Sequence, residues 1–372
     1  MANKRLFDDR LLGLITDSES KLITRLASRS LNWILVLTLN ILNTPYSSLD
    51  PSLILDVVES VGLRCTGSLI ALNSYENRVY QIGIEESSPV IAKFYRPFRW
   101  SDEAIIEEHL FAAELVQHEI PVIAPMQSAN GNTLHHYQGF RFALFPRKGG
   151  RALELDNLEH LEWMGRFIGR LHAVGTCQAF QHRLKLDVQS YGYIPYQFLL
   201  DNNFIPSELK HNYCHAMEAL LPKIEQCFRE VGPIDYIRLH GDCHAGNVLW
   251  SDTGPHIVDL DDCLMGPAVQ DIWMLLSGSK DQVDVQLNRI LDGYCEFFDY
   301  NPRELYLVEA LRTLRMIHYT GWLAKRWEDP AFPLNFPWFN TPRYWQEQLQ
   351  NLNEQFVLIE QSLEDINSYD DE

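Results

Sequence analysis

The stretch on which the fold turns is "HGDCHAGN" at 240–247, followed at 256–263 by "HIVDLDDC". An acid, Asp242, and a carboxamide, Asn247, stand five residues apart, and a short apolar run then ends in Asp259, Asp261 and Asp262. "DTG" at 252–254 reads as a turn, so the whole segment reads as strand, turn, strand. A strand running back from the loop lets two side-chain oxygens that are distant in sequence, those of Asn247 and Asp259, converge on one hard cation. Asp and Asn are also ordinary turn and cap residues. Their order here, with a hairpin between them, favours a shared site.

Phosphoryl transfer asks for this set of parts: a base at the acceptor hydroxyl, oxygen ligands for Mg2+, a cation on the phosphates and a cover over them. The catalytic loop of protein kinases has the spacing Asp, four residues, Asn. Asp242 is then the proton acceptor, and Asn247 and Asp259 are the Mg2+ ligands, with Asp259 counted beside Asp242 in the catalytic pair.

The cation is read from "VIAKFY" at 90–95, where period-two alternation sets Ile91, Lys93 and Tyr95 on one face and Ala92 and Phe94 on the other. Its partner is expected on the following helix, "SDEAIIEEHLFAAELVQHEIP". Glu108 shares a helical face with Ala104, Phe111 and Leu115 and is chosen. Glu107 shares a face with Glu103 and Glu114 and is expected in solvent. No suitable GxGxxG is present, so the loop "LNSYENRVYQI" at 72–82, with Asn73, Ser74 and Asn77, is the candidate cover.

Two rivals use the same residues. An apolar strand ending in Asp-x-Asp also opens haloacid-dehalogenase-type phosphatases, but there it begins the domain, and Cys263 stands here where a hydroxyl residue is expected. His240, Cys243 and His244 could suggest a metal–thiolate site, yet they are too closely spaced and lack a second ligand pair.

Around the site, the order of elements implies an α+β fold of two lobes. Residues 50–145 read as a small β-rich N-terminal lobe that binds nucleotide, and 146–372 as a mainly helical C-terminal lobe with the catalytic loop and metal site. In the N-terminal lobe, Asp50 and Pro51 start a helix, "NRVYQIGIEESSPVIAKFYRP" forms two strands about a Ser-Pro turn, and "GFRFALFP" adds another. In the C-terminal lobe, "LEHLEWMGRFIGRLHAV" aligns Leu158, Leu161, Gly165, Ile168 and Leu171 on one stripe. Residues 1–49 read as an extension or a mis-assigned start, whose removal should leave activity intact.

The chain has 372 residues and a net charge of −19, with 46% hydrophobic and 22% charged residues. These values suit an ordinary globular protein and disfavour a nucleic-acid partner, since a phosphate backbone would repel it. Seven scattered cysteines without a CxxC pair suit reduced thiols. The apolar run at 31–42 is too short to span a bilayer, so no membrane partner is expected.

The stretches "LNSYENRVYQ", "KFYRPFRW", "HGDCHAGNVLW", "VDLDD", "GPAVQDIWMLL" and "RWEDPAFPLNFPWF" resemble the aminoglycoside phosphotransferase and choline kinase-like family, in its branch of bacterial protein kinases. The resemblance runs from about residue 50 to about residue 350. It implies a cytoplasmic, monomeric, ATP- and Mg2+-dependent serine/threonine protein kinase of the envelope and oxidative stress response. Carried onto this chain, it makes Asp242 the proton acceptor, Asn247 and Asp259 Mg2+ ligands, and Lys93 and Ser74 contacts to ATP. It also makes Phe145 part of the hinge at adenine, and Asp271 a brace for the catalytic loop.

Gly241 stands where eukaryotic kinases carry the Arg of HRD, so activity is expected without activating phosphorylation. The alternatives are a kinase of small alcohols on the same fold, resembling those acting on aminoglycosides or choline, and a pseudokinase. The presence of Lys93, Glu108, Asp242, Asn247 and Asp259 together speaks against the second.

Overall fold

A computed structural model describes residues 44–370, so most of the expected extension, including the apolar run at 31–42, lies outside the described residues. The N-terminal lobe opens with α1 (Pro51–Glu59), whose N-cap Asp50 accepts a hydrogen bond from the Leu53 N–H. Three strands follow, β1 (Cys65–Leu72), β2 (Arg78–Ile84) and β3 (Val90–Tyr95), and then α2 (Asp102–Gln117), capped by Ser101. The strands β4 (His135–Tyr137) and β5 (Phe140–Pro146) complete an antiparallel sheet of order β1-β2-β3-β5-β4.

The strand β1 is absent from the sequence reading. Most of its residues are exposed, and Gly67 has a positive φ, so it lacks the alternation that marks a half-buried strand. With β1 in place, the loop at 73–77 becomes the tip of a β1–β2 hairpin. That is the position a phosphate cover needs.

Tyr46, on the extension side of the expected boundary at residue 49, packs with this lobe. Its hydroxyl donates to the Glu76 and Phe94 carbonyls, and its ring carries the Arg78 and Arg96 guanidinium groups at 4.6 and 5.7 Å.

The C-terminal lobe runs through β6 (Arg151–Ala152), α3 (Leu158–Gly175), α4 (Ile194–Asp201), α5 (Ser207–Glu230) and β7 (Ile237–Leu239) to the hairpin β8 (Val248–Ser251) and β9 (Gly254–Ile257). Next come β10 (Leu264–Gly266), α6 (Val269–Trp273), α7 (Lys280–Tyr294), α8 (Val308–Lys325), α9 (Ala331–Asn335) and α10 (Pro342–Asp370). Among the described residues no helix is long and apolar enough to cross a membrane.

The stripe on α3 is buried as expected except at Leu158, which lies exposed in the first turn. Gly165 is required there by contact. A Cβ on it would stand 2.0 Å from the Ile290 carbonyl oxygen, and one on Gly293 would stand 2.1 Å from that of Glu162. The backbones of α3 and α7 therefore touch, and this pair supports the catalytic loop from beneath.

Candidate active site

The hairpin does what its sequence suggests. Val248 pairs with Ile257, and the Val258 N–H donates to the Asn247 carbonyl at 2.9 Å, so Asn247 and Asp259 flank the same open end. Val248 and Ile257 are fully buried and hold the hairpin down by roughly 1.5–3 kcal/mol each. Asp259 adopts a left-handed backbone, φ 61° and ψ 67°. That conformation is uncommon outside Gly and Asn/Asp. It leaves the Asp259 side chain exposed at the cleft while the next residue, Leu260, turns into the core.

Asn247 donates its amide to the Asp242 carbonyl at 2.9 Å, with a longer approach of 3.4 Å to the Asp242 carboxylate. Its amide oxygen is thereby left for another partner. Asp242 pairs through Oδ1 with Arg315 at 2.8 Å and through Oδ2 with His244 at 3.4 Å. Burial pushes the Asp242 pKa up. The His244 hydrogen bond and the charges of Arg315 and His240 outweigh this and hold the carboxyl well below the usual carboxylate range.

The loop is braced from the C-terminal lobe. Asp271 accepts from the backbone N–H groups of His240 and Gly241, both at 2.8 Å, and lies 3.2 Å from His172 Nε2. His240 lies 2.9 Å from the Val258 carbonyl through Nε2 and accepts the Asp242 N–H through Nδ1. This is a structural histidine. Both ring nitrogens of His240 are engaged in this way, which leaves them unavailable to the metal–thiolate rival.

Gly241 has φ 84°, and a Cβ there would lie 2.3 Å from the Asp262 carbonyl oxygen. No arginine fits at that position.

Lys93 is buried and reaches three carboxylates: Asp259 at 3.1 Å, Asp261 at 3.0 Å and Glu108 at 3.5 Å. Burial would lower its pKa, but these three carboxylates raise it well above the ordinary value, so the cation is secure. Glu108 points inward as expected and has a second partner that the sequence reading missed, Arg183 at 2.7 Å. Glu107 departs from expectation: it accepts the backbone N–H groups of Gln181, His182 and Arg183 and ties α2 to the C-terminal lobe.

Asp261 is committed elsewhere than to a metal. It is buried and held by Lys93, Arg99 and the Asn77 amide at 3.2 Å.

The candidate cover is fastened by side chains. Glu76, at its tip, is buried against Arg96 at 3.0 Å, Arg326, and the Trp322 indole N–H at 2.5 Å. Burial pushes its pKa up, but Arg99, Arg326 and Arg96 together hold it below the ordinary value. Ser74 faces a recess of about 220 Å3 shared with Arg78, Phe332 and Asn335. Phe145 sits late in β5 opposite Ile91, with its ring edge-on to His109.

Lys93 thus contacts Glu108 and Asp259, Asn247 contacts Asp242, and the Val258–Asn247 backbone bond sets the two groups side by side, whereas Ser74 and Phe145 lie on the margins. Sequence reading missed Arg315, Arg183 and the Glu76 cluster, whose partners lie tens to hundreds of residues away. The isolated Glu in "NSYEN" was the one local hint.

A family model described as "Phosphotransferase enzyme family" matches residues 68–306. The chain is 45% identical over 316 residues to stress response kinase A of Escherichia coli (strain K12), covering 85% of this chain and 95% of that protein. It is 44% identical over 314 residues to serine/threonine protein kinase RdoA of Salmonella typhimurium, covering 84% and 94%. Among solved structures, amicoumacin kinase matches with a TM-score of 0.65 at 19% identity, over 82% of this chain and 93% of that one. A microcompartment-associated aminopropanol kinase matches with a TM-score of 0.63 at 17% identity, over 84% and 98%. The two-lobed, kinase-like fold read from the sequence is the fold of the molecule.

Proposed function

Because the chain belongs to the phosphotransferase enzyme family, we propose that it is an ATP- and Mg2+-dependent protein kinase that phosphorylates serine or threonine hydroxyls. One observation carries the proposal: Asn247 and Asp259 meet at the hairpin mouth with Lys93 on one side and Asp242 on the other. The identities above, to a stress response kinase and to a protein named as a serine/threonine kinase, favour a protein acceptor and a role in stress. A cytoplasmic monomer is the accompanying expectation.

The donor set fits Mg2+. Asn247 offers an amide oxygen and Asp259 an exposed carboxylate, both hard ligands, and two protein ligands are the usual number where substrate phosphates supply the rest. Bound there, Mg2+ would neutralise charge on the phosphates.

The chain's own residues do the remainder. Lys93, released from Asp259 towards the nucleotide, holds the phosphates, and Glu108 with Arg183 keeps its stem in place. Asp242 orients the acceptor hydroxyl and takes its proton as the oxygen–phosphorus bond forms and ADP departs. In a loose transition state the proton moves late, so a weakly basic carboxylate serves mainly by positioning.

Glu76 closes the cover through charge, where many kinases use glycine-rich backbone. Glu76→Gln should free the loop and raise the KM for ATP about tenfold, the equivalent of about 1.4 kcal/mol. The kcat should change much less. Steady-state kinetics at saturating acceptor checks this, and an unchanged KM would show that Glu76 does not set the loop.

The function itself is tested with the purified full chain, Mg2+ and γ-labelled ATP, offered protein acceptors beside a panel of small alcohols. Label on protein serine or threonine is expected. Label confined to the small alcohols would mean that the chain is a small-molecule kinase on this fold.

A further inference from the structure

A cavity of about 370 Å3 opens between the lobes, bounded by the segment after β3 and by α8. Trp100, Tyr191, His318, Trp322 and Lys325 are among the residues that line it. Its position relative to the base follows from the helix. Arg315, which pairs with Asp242, is followed on α8 by His318, Trp322 and Lys325, at spacings of three, four and three. Residues so spaced share one helical stripe. The stripe leads from the base along the cavity wall, and at about 1.5 Å per residue Lys325 stands roughly 15 Å along α8 from Arg315, so an extended peptide whose hydroxyl meets the base can lay a residue about four positions away against Lys325.

Two features of the wall define what it would accept. Lys325 is the cavity-lining cation with no carboxylate partner among the described residues; its ammonium lies 5.6 Å from the centre of the Phe198 ring. Arg99 and Arg326 also line the space, but their charges are engaged by Asp261, Asp262 and Glu76.

The field points the same way. Burial, and then the charges of Lys325, Arg326, Arg99 and Arg315, push the His318 pKa down to about 3, so the histidine stays neutral among cations. Tyr191 stacks on that ring at 4.1 Å and completes a flat aromatic wall.

Resting on the protein-kinase reading, we propose that this cavity is the acceptor site and that it selects serine or threonine flanked by acidic side chains, with Lys325 binding the flanking carboxylate. Asp262 also lines the space but is paired with Arg99, so Lys325 is the charge left for a ligand, on a chain whose net charge is −19. It also gives specificity by repulsion, since a basic flank would meet Lys325 at close range.

The test uses the full chain with three matched serine peptides, flanked by Glu, by Gln or by Lys. Two small alcohols are added, a sugar phosphate and an amino alcohol. The wild type should favour the Glu peptide over the Lys peptide by about tenfold in kcat/KM, mainly through KM. Lys325→Glu should abolish or invert that ratio, and Lys325→Arg should keep it.

A ratio near one in the wild type, or one untouched by Lys325→Glu, overturns the proposal. If only alcohols are phosphorylated, the protein-kinase reading fails and this proposal fails with it as stated; preference for the sugar phosphate would then still locate an anion site at Lys325. Phosphorylation of the Lys peptide in preference to the Glu peptide overturns the proposal while leaving the kinase reading intact.

Discussion

Asp242→Asn is expected to lower kcat by about 10²- to 10⁴-fold, the usual contribution of a positioned acid–base group, while leaving ATP affinity nearly unchanged. The substitution keeps the shape and removes the charge. Asn247 still finds the residue-242 carbonyl, so the placing of Asn247 beside Asp259 at the hairpin mouth is undisturbed. Arg315 loses its partner, but its side chain is 40% exposed and water can replace the carboxylate; the stability that the ionised Asp242 contributes is lost, so the melting temperature should fall while the fold is kept.

The depressed pKa has a consequence with a definite sign. A carboxyl held below its ordinary value is ionised throughout the neutral range. It contributes stability above that ordinary value and loses the contribution only as pH falls through the lower, folded value. Any activity lost between pH 8 and 5 therefore belongs to another group, and Asp242→Asn should be depressed by the same factor across that range. Rapid-quench phosphotransfer with parallel nucleotide-binding measurements checks both halves. Full turnover in the variant would remove Asp242 from its role.

The second large effect is expected one layer down, at Asp271. This carboxylate is about 1% exposed and accepts from two backbone N–H groups of the catalytic loop. Asp271→Ala leaves both backbone donors and the His172 Nε2 unpaired in a dry environment, although His172 Nδ1 keeps the Tyr294 hydroxyl. The expected loss is roughly 3–5 kcal/mol of stability, as for removal of one partner from a buried charged pair. It should come with a fall in kcat well beyond what the global stability change explains, because the backbone around Gly241 and Asp242 loses its anchor.

Asp271→Asn offers one acceptor oxygen in place of two and should fall between the wild type and Asp271→Ala. Denaturant midpoints and kcat, measured on both variants below the unfolding transition, separate misfolding from a misplaced loop. A catalytic loop that keeps full activity in folded Asp271→Ala would show that the brace is dispensable.

How much of this was legible beforehand depends on sequence distance. The hairpin at 248–257 was readable because its apolar residues, its turn and its terminal acids lie within some twenty positions. Helical periodicity reports which side of α2 is buried, and so it distinguishes Glu108, which faces Lys93, from Glu107. The same periodicity misjudged Glu107: it indicates that a side chain leaves its own helix's core, and says nothing of what waits outside. Three backbone N–H groups from 181–183 were waiting there. The strand β1 was missed for the opposite reason, since an exposed edge strand buries too little apolar surface to leave a pattern.

The sequence by itself determined the two-lobed class, the hairpin, the inward face of α2 and the identities of the groups that meet at its mouth. These follow from local periodicity and turn chemistry, which act over a few residues. Only the tertiary structure decided that Arg315 would stand on Asp242 in place of an arginine excluded at Gly241 by the Asp262 carbonyl. It likewise decided that Glu76 would be clasped by Arg96 and Arg326, and that Lys325 would line an interlobe cavity without a carboxylate partner among the described residues. Ion pairs and cavities of this kind join residues up to some 250 positions apart, and their positions are set by how the helices pack against one another, a quantity no local pattern carries.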